Sequence, residues 1–188
     1  MRKVRLATAG FALVVLAGCS SPFGMANLAK ESSSLSAADR SFISQAAYGS
    51  LAEVELGELA QTQASSQQVR DFGGRMVTEH TQMNKDLIAL ASNKGVTPPS
   101  SPDPGRQEIG DMLEQLSGTE FDRQYVPQQL ADHETTLALF QVQSNRGQDV
   151  ELKQFAQRYT PVIQRHVEML RRMSMQAVSS NCTTQMTR

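Results

Sequence analysis

Hydrophobic positions recur every three or four residues over four long segments of this 188-residue chain. This spacing is typical of amphipathic α-helices. It predicts helices over about 37–62, 66–94, 120–145 and 149–176. The alternation of apolar and polar residues that is typical of a β-strand is scarce, and β-branched residues are few. The pattern therefore predicts an all-α fold.

The segments between these helices predict how the helices are arranged. Short turns after the first and third helices make antiparallel pairs, whereas residues 96–105 contain four prolines and predict a long non-helical connection. A short extra helix over 106–116 follows this connection. We therefore expect a four-helix bundle whose long, proline-rich connection crosses the bundle between helices two and three.

The N-terminus has the pattern of an export signal. Three basic residues precede an uncharged stretch over 6–17, which is too short for a spanning helix of roughly 20 residues. Leu16-Ala17-Gly18-Cys19 then resembles the bacterial lipoprotein box, which implies cleavage before Cys19 and its acylation. An unmodified cysteine after an ordinary signal peptide is the alternative. Ser20 at the next position resembles the signal for the outer membrane, and predicts a lipid anchor that leaves the chain on the periplasmic side.

This interpretation predicts the domain organisation and the charge. The signal peptide covers 1–18, a flexible tether 19–36, the helical bundle 37–176 and a polar C-terminal tail 177–188. Removal of the signal takes away three basic residues and changes the net charge from −1 to −4. An acidic domain of this kind argues against a nucleic-acid partner. Acylation of Cys19 would leave Cys182 without an intrachain partner.

Each long helix places one candidate ligand on its apolar face. These residues are Glu53, His80, His133 and His166, and the three histidines are the only ones in the chain. They predict either a metal or other ligand site or a polar core in which neutral histidines hydrogen-bond within the protein. At 1.5 Å per residue the four positions are expected to spread over two turns, roughly 9 Å.

The acidic residues do not follow the pattern of a di-iron carboxylate bundle, which uses Glu-x-x-His on two helices. Val77, Leu130 and Ile163 stand three residues before the histidines. Acids adjacent to a histidine, such as Glu79, are turned about 100° around the helix. A standard di-iron centre is therefore not predicted. Histidine-rich ligation would suit zinc, copper or iron, and the identity of the metal is left open.

No nucleophile motif such as Gly-x-Ser-x-Gly is present, and the sequence favours a role other than catalysis. Methionines spaced along the second and fourth helices could supply Cu(I) ligands. We interpret them as core-filling residues, since methionine fills irregular gaps.

Several stretches together resemble an exported bacterial family catalogued as domain of unknown function 4142, which is described as ferritin-like. They are "SLAEVELGELA", "VRDFGGRMVTEHTQMNKDL", "FDRQYVPQQLADHETTLALF" and "LKQFAQRYTPVIQRHVEML". The resemblance implies a ferritin-like bundle in the cell envelope, and assigns no activity. Positions matching its recurring motifs are Glu53, His80, Asp122, His133 and His166. Gly73-Gly74 and Pro127 depart from the pattern.

Around this candidate site, Asp122, Tyr125 and Tyr159 are predicted to support the four ligands from outside. Three functions stay open. The chain could be an envelope lipoprotein that acts as a binding or envelope-maintenance module through the core His/Glu site. It could instead be a metal-binding storage or oxidoreductase protein of the ferritin type, or a structural protein-interaction bundle without a ligand.

Overall fold

A computed structural model describes the backbone of residues 35–186 and the side chains of residues 35–176. This part of the chain forms five helices: α1 Ala37–Gln63, α2 Gln67–Asn93, α3 Pro104–Glu114, α4 Gly118–Arg146 and α5 Val150–Met186. The predicted all-α four-helix bundle, with its short extra helix, is confirmed. The signal peptide, Cys19 and the Cys182 side chain lie outside the described residues. Within them, no helix is both long enough and apolar enough to cross a membrane.

The helix ends follow local capping chemistry. The Ser36 side chain accepts a hydrogen bond from the Asp39 amide and begins α1 where the sequence predicted. Asp103 caps α3 and Pro104 occupies its first turn, so the prediction that residues 96–105 are wholly non-helical was wrong at its last two positions. Proline is tolerated there because the first amides of a helix have no intrahelical partner. Helix α5 continues to Met186, beyond the predicted end at 176.

Contacts at the two ends of the bundle fix its topology. The Ser66 amide, at the start of α2, donates to Asp122 near the start of α4 at 2.8 Å. At the opposite end, Lys94 follows α2 and pairs with Asp149, which precedes α5, at 2.8 Å. Helices α2 and α4 therefore run parallel, and each is antiparallel to its partner in a hairpin, α1 or α5. The connection through α3 crosses the length of the bundle, as predicted.

The buried apolar side chains form two clusters, one toward each end. Phe42, Phe140 and Phe155 pack at 5.1–6.2 Å between ring centroids toward the end where α1 begins. Phe121 and Tyr125 stack at 5.1 Å toward the end where α4 begins. Between the two clusters, every long helix has one buried histidine or glutamate. These residues, which we call the polar layer, are Glu53, His80, His133 and His166.

A close backbone contact between α1 and α2 lies beside this layer. A Cβ atom added to Gly73 would lie 2.6 Å from the carbonyl oxygen of Gly57, and one added to Gly57 would lie 2.7 Å from the carbonyl of Gly73. The nearest atom to a Cβ at Gly74 is 3.6 Å away, on the Gln61 side chain. Gly73 is therefore needed for the approach of the two helices, and Gly74 is not.

Candidate metal centre

The three histidines converge in the middle of the bundle. Their ring centroids are 5.3–5.7 Å apart, and one ring nitrogen from each lies within 4.8 Å of those of the other two. His80 lies on α2, His133 on α4 and His166 on α5, and each is at most 2% exposed. Three potential nitrogen ligands thus meet at one buried point.

The predicted spread of roughly 9 Å was wrong for the histidines. His133 lies 13 residues before the end of α4 and His166 lies 16 residues after the start of α5, so their backbones are offset by about three residues. Side chains lean toward the N-terminus of their own helix. Because α4 and α5 are antiparallel, these two rings lean toward each other and close the offset.

The outer nitrogen of His133 is fixed by its own helix. Its Nδ1 lies 2.9 Å from the Gln129 carbonyl oxygen. A carbonyl oxygen only accepts, so Nδ1 carries the proton and Nε2 keeps a lone pair. Nε2 has no hydrogen-bond partner among the described residues. Burial and the neighbouring His166 lower the pKa of His133 to about 3, so the ring is neutral at pH 7.

His166 is oriented by an acid from another helix. Its Nε2 lies 2.8 Å from Oε2 of Glu79, whose Oε1 accepts from Arg75 at 2.8 Å. The carboxylate therefore holds the proton on Nε2 and leaves the lone pair on Nδ1, which has no partner in the described part of the chain. This is the usual carboxylate–histidine arrangement of metal sites. Burial lowers the pKa of His166, and although Glu79 opposes this, the charges of Arg165 and Arg75 add to it.

Sequence reasoning missed Glu79. Glu79 is turned about 100° around α2 from the face on which His80 lies, so the sequence did not predict it beside the histidines. In the bundle that rotation brings Glu79 to α5 and to His166. The signal available in the sequence was an acid directly beside a core histidine, but the neighbouring helix that it would contact was not visible there.

His80 has the least support of the three rings. Neither of its nitrogens has a hydrogen-bond partner within the described residues. Burial, and then the charges of His133 and His166, hold its pKa well below the usual value. The ring is therefore neutral at pH 7, and either nitrogen can offer a lone pair to the centre.

Glu53 lies on the outer side of His133, away from the three lone pairs. Its Oε1 is 3.6 Å from the protonated Nδ1, and its Oε2 has no partner in the described part. Burial and the nearby Asp132 raise the pKa of Glu53 well above its usual value, against the opposing charge of Arg106. Beside it is a cavity of about 10 Å³, also lined by Gln129, which is roughly the volume for one water molecule. Glu53 therefore lies beside Nδ1 of His133 without a hydrogen bond to it, and is not one of the three converging ligands.

The three residues predicted to support the ligands are dispersed. Asp122 accepts from the Ser65 hydroxyl at 2.6 Å and joins α4 to the turn between α1 and α2. Tyr159 donates to Asp86 at 2.7 Å. Neither of these contacts is with a predicted ligand. Tyr125 is fully buried and its hydroxyl has no partner among the described residues, and its ring lies 6.4 Å from that of Phe72.

A family model described as Domain of unknown function (DUF4142) matches residues 24–173. The chain belongs to this family. Comparison with curated proteins gave no match. Comparison with solved structures gave none either. The family description carries no activity, and the function of this DUF4142 chain must be argued from the geometry of its histidines.

That geometry provides three neutral imidazoles in this DUF4142 bundle, each with a ring nitrogen that has no partner among the described residues. Nitrogen ligands at about 2.0–2.1 Å from a tetrahedral zinc ion lie about 3.3 Å apart. The three histidine nitrogens lie within 4.8 Å of one another, so they would have to move closer together to bind one ion. Phe72 packs beside it, 5.9 Å from His133 and 6.1 Å from His166 between ring centroids. The rings are thus held in an apolar setting that strengthens their interaction with a cation.

Proposed function

We propose that this DUF4142 chain is a metal-binding protein whose centre takes one transition-metal ion through His80, His133 and His166. The observation that carries the proposal is the convergence of three buried, neutral imidazoles, each with a ring nitrogen that has no partner in the described part of the chain. Imidazole is a ligand for zinc, copper, iron and nickel, whereas magnesium and calcium prefer oxygen. Zinc and copper are the ions that we expect to bind.

The energetic cost of the metal-free arrangement supports this proposal. A buried polar group without a hydrogen bond costs about 1–3 kcal/mol, and His80 alone has two such nitrogens. A purely structural core would gain stability from apolar residues at these positions. Coordination by a metal satisfies all three lone pairs at once and offsets that cost.

The hydrogen bonds of His133 and His166 also support metal binding. His133 donates to a carbonyl of its own helix, and His166 donates to Glu79. Both bonds fix the tautomer that turns a lone pair inward, which raises the basicity of each ligand. A centre of this kind suits the binding and supply of metal, and we propose that role in preference to catalysis.

We also propose that the protein works at the bacterial cell envelope, anchored by lipid at Cys19. The support is the lipoprotein-like stretch Leu16–Cys19 in the sequence. Replacing Cys19 by Ser should release the protein from the membrane fraction, because the acyl chains would have no attachment. Fractionation of cells that express either version tests this. Undiminished membrane association of the variant would contradict the anchor.

Elemental analysis after equilibration tests the metal proposal. The purified, chelator-treated protein is incubated with zinc or copper, dialysed and analysed, and we expect about one ion per chain. His80→Ala with His133→Ala should bind none, whereas Ser50→Ala, which changes another buried polar residue of the bundle, should bind as the wild type does. No ion in the wild type, or full binding by the double variant, would overturn the proposal.

Glu79→Gln tests the supporting carboxylate. Loss of such a partner usually lowers metal affinity 10–100-fold, and we expect a decrease of about that size in competition with a chelating dye. Glu134→Gln is the matched control, because Glu134 also adjoins a histidine in sequence but is exposed and pairs with Arg171. Equal affinities of the two variants would show that Glu79 does not orient His166.

A further inference from the structure

A second pocket reaches the metal centre from the surface. It is open to solvent, has a volume of about 230 Å³ and is lined by residues of α2 and α5. The lining residues are Arg75, Arg165, His166, Glu168, Met169 and Arg172. Three arginines therefore surround a cavity that ends on a proposed metal ligand.

Two of these arginines have no ion-pair partner in the described part of the chain. Arg165 donates to the Pro161 carbonyl of its own helix at 3.1 Å, and neither it nor Arg172 has an ion-pair partner within 4.0 Å among the described residues. Glu168 stands between them in sequence but accepts instead from Gln164 at 3.3 Å. The pocket consequently has more positive than negative charge in a protein whose net charge is negative.

The chemistry of guanidinium selects the class of ligand. Arginine presents several N–H donors in a planar fork that matches the oxygens of carboxylate and phosphate. A carboxylate offers two acceptor oxygens, whereas a phosphate group offers three strong acceptors in a tetrahedral arrangement. Three arginines from two helices line the pocket, which favours the anion with more acceptor oxygens.

We infer that this pocket binds a phosphate-class oxyanion, and that the bound anion strengthens metal binding at the three histidines. The second part rests on the proposed metal function, and the first does not. The two sites share a chain of contacts, in which Arg75 donates to Glu79 at 2.8 Å and Glu79 accepts from His166 at 2.8 Å.

Charge explains the direction of the coupling. Arg75 and Arg165 line the same pocket as His166, so their positive charges disfavour an additional cation there. An anion between these arginines offsets their charge and makes a metal ion beside His166 more favourable. Because coupling between two binding sites is reciprocal, the metal must strengthen anion binding by the same factor.

Calorimetry of the metal-free full chain with sodium phosphate tests the anion site alone. We expect saturable binding that weakens about tenfold in Arg165→Gln/Arg172→Gln, the loss of about 1.4 kcal/mol in affinity. Arg40→Gln/Arg171→Gln removes the same charge from exposed positions outside the pocket and should bind as the wild type does. Ionic strength is kept constant, since salt screens such contacts. No binding, or equal weakening in both variants, would overturn the site.

The same titration with a water-soluble, short-chain phosphatidylglycerol distinguishes the source of the anion. Binding of inorganic phosphate alone assigns the pocket to a free phosphate. Binding of the phosphodiester as well, again lost in Arg165→Gln/Arg172→Gln, assigns it to a lipid headgroup. Sodium acetate should bind at least tenfold more weakly than phosphate. Acetate binding as tight as that of phosphate would contradict the phosphate class.

Zinc affinity measured with and without sodium sulfate tests the coupling. Sulfate is the tetrahedral probe here because zinc phosphate is poorly soluble. We expect zinc affinity to rise about fivefold or more in the wild type and to be unchanged in Arg165→Gln/Arg172→Gln. Zinc binding that ignores sulfate would overturn the coupling. Anion binding without any zinc binding would overturn the metal function and leave the anion site standing.

Discussion

Two regions of the bundle bury polar side chains in opposite ways. At the start of α1, the fully buried Asp39 is surrounded by donors. Its carboxylate accepts from the Gln143 side chain at 2.7 Å, the Ser36 hydroxyl at 2.7 Å and the amides of Gln148 and Asp149 at 3.3 and 3.2 Å. One side chain thereby joins α1 to the end of α4 and to the turn before α5.

In the polar layer at the middle of the bundle, by contrast, buried atoms are left without partners. Within the described residues these atoms include Oε2 of Glu53, both nitrogens of His80, Nε2 of His133 and Nδ1 of His166. The side chains of the layer are as little exposed to solvent as that of Asp39. The two regions therefore differ in hydrogen bonding and not in solvent exposure.

The difference separates a structural polar group from a functional one. A buried polar network whose members are all satisfied makes the native state more specific, whereas a partly satisfied one costs stability. Proteins retain such costs where a ligand or a reaction needs them. We accordingly expect changes at Asp39 to weaken the fold and changes in the polar layer to weaken binding while improving the metal-free fold.

The largest effect is expected from Asp39→Ala. This change leaves the Gln143 side chain and two turn amides without their acceptor, and should lower the free energy of unfolding by about 3–5 kcal/mol, since each hydrogen bond to a charged group contributes about 1.5–3 kcal/mol and these are not fully additive. Urea unfolding measures it. Asp71→Ala, at an exposed position of α2, should change stability by less than about 0.5 kcal/mol. Similar values for both variants would refute the structural role of Asp39.

The pH dependence of stability separates the two regions. Burial would raise the pKa of Asp39, but its hydrogen bonds with Gln143, Ser36 and the two amides outweigh this and lower it. Its stabilisation is therefore complete above the unfolded pKa of about 3.8 and is lost as pH falls through the lower folded pKa. Between pH 7 and 5 Asp39 contributes no change.

Between pH 7 and 5 it is His80 that changes the stability, because there the unfolded chain binds more protons than the folded chain. Its folded pKa is lowered, so below about pH 6.5 the unfolded chain binds the additional proton and stability falls with pH. From pH 7 to 5 the metal-free wild type should lose about 2 kcal/mol more than His80→Leu. Glu53 has a raised pKa and changes stability in the other direction, but it is present in both proteins and cancels. Urea unfolding with chelator measures this, and parallel pH profiles would contradict it.

A smaller change, an increase in the stability of the metal-free protein, is expected from His80→Leu at pH 7. Leucine removes two buried nitrogens that have no partner in the described part of the chain, so the metal-free protein should become more stable by about 1–2 kcal/mol. With excess zinc the order should reverse, because metal at 100 times its Kd stabilises the wild type by about 2.7 kcal/mol. Thermal unfolding with and without zinc measures both. If His80→Leu made the metal-free protein less stable, His80 would have a structural role like that of Asp39.

Much of the fold could be predicted from the sequence because periodicity is a local property. The apolar faces that carry Phe42, Phe72 and Phe155 repeat every three or four residues, and the structure buries all three. The histidines were found for the same reason, since each interrupts such a face. Ser36 and Gly95 were readable as a helix start and a helix stop from local rules.

Contacts between helices could not be predicted in this way. Asp39 was readable as part of a capping motif, but its partners Gln143 and Asp149 are about a hundred residues away. Glu79 was set aside because its contact, His166, lies on another helix. Glu53 was placed correctly on the apolar face of α1, but only the packing of α4 against it shows that it lies beside Nδ1 of His133.

The sequence by itself determined which segments are helical, which side of each helix is buried and which residues interrupt the apolar core, because a helix repeats every 3.6 residues regardless of its surroundings. Only the tertiary structure decided that one ring nitrogen from each of the three histidines lies within 4.8 Å of the other two. The direction in which α4 and α5 run, and the lean of their side chains, decide that meeting. Which buried polar atoms find a partner depends in turn on the helices packed around them, and this difference makes Asp39 structural and gives the histidine layer its proposed function.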